Sequence, residues 1–150
     1  MISDVLRTVK LYACFYWDIK RAISEKRARM AAHRQEIGGV QKNKISDPTA
    51  AQAIRNMTPI DSVLIRGLGV VYSPELWMKA IEEGFEACSD DVKAVARSGL
   101  FGKKSVVYVS MHQNIDPKTV YKKRAEAVTA MAVAAAKHGL VDVDGGTRKN

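Results

Sequence analysis

An all-α fold, a long N-terminal helix followed by a C-terminal helical bundle, is what this sequence predicts, and three observations predict it. Residues 3–36 contain neither glycine nor proline, yet Val5, Val9, Tyr12, Tyr16, Ile19 and Ile23 recur at alternating steps of four and three. The second half is punctuated by helix-start signals at Ser73-Pro74, Ser89-Asp90-Asp91, Ser105 and Asp116-Pro117. Aromatic residues make up 7% of the chain and there are only ten glycines, too few for a sheet-rich, turn-rich architecture.

The first element is a single amphipathic helix over residues 3–36, with Ser3 as N-cap and Gly38-Gly39 as its stop. Met30 and Ile37 extend its apolar seam, while Lys26 and His33 interrupt it. Its first half is expected to pack firmly, and its second half, with Lys20, Arg21, Lys26, Arg27, Arg29 and Arg34, to be solvated and basic. The seam fits a dimer zipper and a helix folded back on its own bundle equally well. The basic half fits a solvated face, a non-specific phosphate contact or a docking helix. Residues 1–45 therefore form the first unit, for docking or dimerisation.

Residues 46–72 form the second unit. Residues 38–46 read as a loop, and Asp47-Pro48-Thr49 opens a short helix to about residue 56. Val63-Leu64-Ile65 and Val70-Val71-Tyr72 flank Gly67 and Gly69, which suits either a small hairpin or an extended linker. No lysine-serine/threonine ending follows the glycines, so they are no phosphate loop.

Residues 73–144 form the bundle. Ser73 is expected to cap a helix with Pro74 at its first position and Leu76, Trp77, Ala80, Ile81 and Phe85 as its apolar stripe. Ser89 caps the next helix, which carries Val92, Val95 and Ala96. Gly99 and Gly102 bracket Leu100-Phe101, a plug at the corner. Ser105 caps a short helix to His112, and Asp116 caps a long one ending near His138, with Gly139 as its stop. Residues 145–150 read as a frayed tail.

Composition narrows the function. A length of 150 residues and a 47% apolar content suit one domain, or a small domain with an appendage. No apolar run approaches the roughly 20 residues of a membrane helix, and Asp4 and Arg7 interrupt the N-terminus against a signal peptide. Cys14 and Cys88 lack metal or redox spacing and read as two unpaired thiols of a cytoplasmic protein. The net charge of +8 and the pI near 9.6 favour a polyanionic partner: DNA, RNA or an anionic membrane surface. Charge is also sorted by helix. Residues 117–137 hold five Lys/Arg against one acid, Glu126, whereas Glu75, Glu82, Glu83, Glu86, Asp90 and Asp91 cluster on the helices opened by Ser73 and Ser89.

Residues 105–138 carry the functional signal. Two helices joined by three or four residues form a helix-turn-helix, and such a turn needs one residue that accepts a left-handed backbone. Asn114 stands there in place of the usual glycine. Small Ser110 allows close approach, and Val109, Ile115 and Val120 supply a local core. The second helix then presents Lys118, Thr119, Lys122 and Lys123 near its N-terminus, the end that reaches base edges in such proteins. Lysine can donate to guanine, and threonine can touch a thymine methyl. Lys104, Ser105 and Tyr121 suit phosphates. Lys123 falls where the motif often buries an apolar residue. Double-stranded DNA is therefore the expected partner.

The stretch Asn-Ile-Asp-Pro-Lys-Thr-Val-Tyr-Lys-Lys-Arg-Ala-Glu-Ala-Val (114–128) resembles the recognition helix of the sigma-70 region 4 fold. It is similar in particular to the RinA/ArpU-type late transcription regulators of phages infecting Gram-positive bacteria. Ser73-Pro74-Glu75-Leu76-Trp77, Asp47-Pro48-Thr49-Ala50 and Ala135-Ala136-Lys137-His138-Gly139-Leu140 fit the same pattern. Together these short motifs span most of the chain. The resemblance implies a sigma region 4-like bundle at the C-terminus and a phage or prophage DNA-binding activator of late genes. It further implies action in the bacterial host cytoplasm. The N-terminal seam offers a second copy of the chain as a further partner, and a separate reading has the N-terminal helix bind RNA polymerase or another regulator, with DNA contact secondary.

The alternative is a small terminase subunit-like packaging protein, which would also bind DNA but assemble as a ring. An enzyme is not expected: His33, His112 and His138 lack metal-ligand spacing, and no nucleophile elbow is present. No metal or cofactor is expected either.

Overall fold

The computed structural model describes residues 2–37 and 58–142. The expected loop at 38–46, the short helix after Asp47 and the frayed tail at 145–150 lie outside the described residues. The described chain is mostly helical. In order it forms α1 (Ile2–Cys14), α2 (Tyr16–Ile37), a hairpin of β1 (Ser62–Ile65) and β2 (Gly69–Tyr72), α3 (Pro74–Glu86), α4 (Asp90–Ala96), a π-helical corner (Arg97–Phe101), α5 (Val106–Gln113) and α6 (Pro117–Lys137). None of these helices is long and apolar enough to cross a membrane.

The expected single N-terminal helix is two. Phe15 is a turn residue between α1 and α2, although its N–H still donates to the Leu11 carbonyl and its carbonyl still accepts from Ile19. Its ring meets the Lys103 ammonium, 4.4 Å from the ring centre, and lies against Gly67 of the hairpin turn. The helix also starts at Ile2, so Ser3 lies inside it rather than capping it. The seam itself folds back on the bundle: Val5, Val9, Tyr16 and Ile19 are buried, and Tyr12 sets its ring edge-on to Trp77 at 4.7 Å.

The second half of this arm is not simply solvated. Lys26, which interrupts the seam, donates to the Ser62 carbonyl at 2.6 Å and so ties α2 to the hairpin edge. Arg27 pairs with Glu75 at the start of α3. Lys26 breaks the apolar repeat because α2 here passes the polar backbone of the hairpin edge.

The two glycine-flanked segments form the hairpin. Leu64 faces Val70 and Ser62 faces Tyr72 across an antiparallel ladder, with Val63, Ile65 and Val71 turned inward. Gly67 and Gly69 take the positive φ values of the turn. Strand β2 runs almost directly into α3, and the sharp change of direction puts Ser73 in the left-handed region at φ 49°. Ser73 therefore makes no side-chain cap bond, contrary to expectation, and its N–H donates to the Asp61 carbonyl instead. Ser89 also lacks a side-chain cap bond.

The main core lies between α1, α3 and α6, around Trp77, Ile81, Leu100 and Met131. The buried stripe of α3 is Trp77, Met78, Ala80, Ile81 and Gly84, while Leu76 is exposed. At Gly84 the α6 backbone comes so close that an added Cβ would sit 2.5 Å from the Met131 Cα. The corner after α4 carries Leu100 into the core, with Phe101 half-buried against Tyr16 and Phe85.

Candidate nucleic-acid interface

Local chemistry sets the α5–α6 geometry. The Ser105 hydroxyl accepts the Tyr108 N–H at 3.1 Å and starts α5. Asn114 ends it in the left-handed region at φ 57° and ψ 49°, and the N–H groups of Asn114 and Ile115 both return to the Ser110 carbonyl. The Ser110 hydroxyl donates to the Ile115 carbonyl at 2.6 Å, so this serine ties down the turn as well as leaving space for it. Asp116 then accepts the Lys118 N–H at 3.0 Å, and Pro117 opens α6.

A small separate core holds the two helices on α4. Val109 and Val120 are fully buried with Val95, and Val106 and Ile115 pack around them. Gln113 adds a polar tie that the sequence did not flag. Its amide donates to the Ala94 carbonyl at 3.0 Å and to the Ser98 hydroxyl at 3.3 Å, next to the π-helical corner.

This frame separates the expected site residues. Lys118 and Lys122 are exposed, Tyr121 is 58% exposed and Thr119 is half-buried. Helical spacing places Lys118, Tyr121 and Lys122 on one side of the first two turns of α6. Lys123 leaves that face: its side chain turns toward α4, is only 23% exposed and lies 3.7 Å from the Asp91 carboxylate. Lys104 lies 5.0 Å from the Tyr108 ring centre, and Tyr108 stacks on His112, so these residues gather with Ser105 on α5. Arg124, not singled out in the sequence, lies over the Tyr121 ring at 5.3 Å.

Ion pairing sharpens the charge sorting. Acids of α3 and α4 hold partners from their surroundings: the Lys20 ammonium and the Tyr16 hydroxyl on Glu82, Lys137 and the His138 imidazole at Glu83, Lys93 on Glu86, and Lys123 at Asp91. Among the described residues, Lys104, Lys118 and Lys122 have no carboxylate within ion-pair distance. The positive charge left uncompensated thus includes the N-terminal turns of α6. Around the α1 terminus, burial pushes the Cys14 thiol up, while Lys10, Arg124 and Lys103 pull it back. Cys14 and Cys88 are both free.

Among the described residues, no three or more His, Cys, Asp or Glu side chains gather as a metal-holding group. No protein family, curated protein or solved structure matches the chain.

Proposed function

We propose that this chain is a DNA-binding transcription regulator that sets the N-terminal turns of α6 in a major groove. The observation that carries the reading is the exposed Lys118–Tyr121–Lys122 face, whose two lysines have no carboxylate within ion-pair distance among the described residues, presented by a helix whose start is held by the Asn114 turn and the Asp116 cap. Lys118 and Lys122 stand about 6 Å apart along the helix axis, the rise of roughly two base-pair steps. Both can donate to guanine edges, and Thr119, half-buried beside them, can touch a thymine methyl. Lys104 and Tyr108 at the start of α5 suit flanking phosphates. The step from DNA binding to activation of phage or prophage late genes rests on the resemblance of residues 114–128 to RinA/ArpU-type regulators. On this reading the chain binds and does not catalyse.

The test is selection of bound duplexes from a random library, followed by binding of the selected duplex to the parent and to Lys122→Glu. The variant loses sequence-selective binding while its helicity and melting stay those of the parent, because Lys122 is exposed. Parent binding weakens steeply with salt, since each phosphate contact releases counterions. Equal affinity for parent and variant would sink the assignment of α6 as the reading helix.

A further inference from the structure

An open groove of about 390 Å³ runs between α1 and α6, beside the face assigned to base reading. Arg7 and Lys10 of α1 and Arg124 of α6 supply its cations, with Ser3, Thr129 and Tyr121 as hydroxyl groups. Leu6 and Val128 give it an apolar floor, and no carboxylate is among its lining residues. Asp4 lies 3.9 Å from Arg7 on the same helix, but the two side chains are 63% and 75% exposed, a geometry that compensates little charge. Lys10 has no carboxylate within ion-pair distance among the described residues.

Tyr121 belongs to both surfaces. It lines the groove and lies between Lys118 and Lys122 on the outer side of α6. Lys118, Tyr121, Lys122, Ala125 and Thr129 follow one helix face over about 16 Å. A duplex lying against the N-terminal half of that face brings a sugar-phosphate strand toward the groove mouth. A cationic wall with hydroxyls over an apolar floor matches that ligand: anionic oxygens outside and the carbon faces of deoxyribose within.

We propose that the α1–α6 groove seats the phosphodiester backbone of duplex DNA, with Arg7 and Lys10 neutralising two phosphates that flank the bases read by α6. This rests on the reading of α6 as a DNA-binding helix. It makes α1 a second anchoring element, which fixes the register of α6 but carries no sequence preference of its own.

The experiment compares the parent chain, the double variant Arg7→Gln/Lys10→Gln, Lys122→Glu, and Lys79→Gln as an exposed control on α3. Each is titrated with the selected duplex and with an unrelated duplex of equal length across a sodium chloride series. The double variant binds both duplexes at least about tenfold more weakly near ~0.1 M salt and keeps the ratio between them, and its salt slope is shallower by about 1.8, or ~0.9 per lost contact. Lys122→Glu loses the ratio, and Lys79→Gln matches the parent. A double variant with the parent's affinity and slope overturns the groove proposal while leaving the α6 reading intact. So does a loss confined to the selected duplex. A parent chain that binds no duplex, or that binds single-stranded RNA in preference, overturns both.

Discussion

Gly84 has no side chain because the crossing of α3 and α6 leaves no room for one. An added methyl would stand 2.5 Å from the Met131 Cα and 2.6 Å from its nitrogen, and backbone of a packed helix cannot swing aside as a side-chain tip would. Gly84→Ala therefore loses about 1–3 kcal/mol by denaturant unfolding, although alanine is the better helix former in isolation by about 1 kcal/mol. A neutral or stabilised variant would mean the helices separate easily at this point. This requirement could not be read from the sequence, where glycine within a helix registers only as a local cost. Asn114 was legible, because few residue types accept the left-handed backbone its turn demands. Lys123 marks the boundary between the two cases. Its awkward position was visible in the sequence, but its pairing with Asp91 depends on where α4 lies.

Elements were legible where a periodic pattern met a single environment. The α1–α2 seam holds one face toward the core from Val5 to Ile19, and its spacing showed this. The interruption at Phe15 was not visible, since neither glycine nor proline marks it and its ring is placed by Lys103 and the hairpin turn. The clustered carboxylates of α3 join that helix to α2, α4 and the end of α6, which depends on where those elements lie. Glu82 shows the consequence. Burial raises its carboxyl pKa, but the hydrogen bonds from Tyr16 and Lys20 outweigh that and leave it below the ordinary 4.5. A lowered folded-state value stabilises the fold above the unfolded value, and the contribution is lost as pH falls through the folded value. Burial raises the Tyr16 hydroxyl, and Glu82 adds to the effect, so its contribution is present below the ordinary 10 and is lost only as pH rises toward the raised value. The melting-temperature gap between the parent and Glu82→Gln therefore narrows from about pH 6 to about pH 3. A gap constant across that range would mean that Glu82 contributes only by packing.

At the scale of the whole molecule, two alternatives left open by the sequence, a zipper between copies and a helix folded on its own bundle, have opposite consequences. Val5, Val9, Ala13, Tyr16 and Ile19 are buried within one chain, so from Val5 to Ile19 the seam spends its apolar face on its own bundle. Unless the bundle opens, neither stability nor DNA binding depends on pairing through it. The melting temperature is expected to be independent of protein concentration, whereas a coupled dimer melts higher as concentration rises. Light scattering is expected to give one chain of 16.5 kDa. The DNA sites that such a monomer selects lack two-fold symmetry, because operator palindromy mirrors a protein dimer. A stable ring of eight or more chains would instead favour the packaging role, in which the same basic helix face would serve an assembly. A palindromic selected site would place a second copy on the DNA through a surface other than the α1–α2 seam.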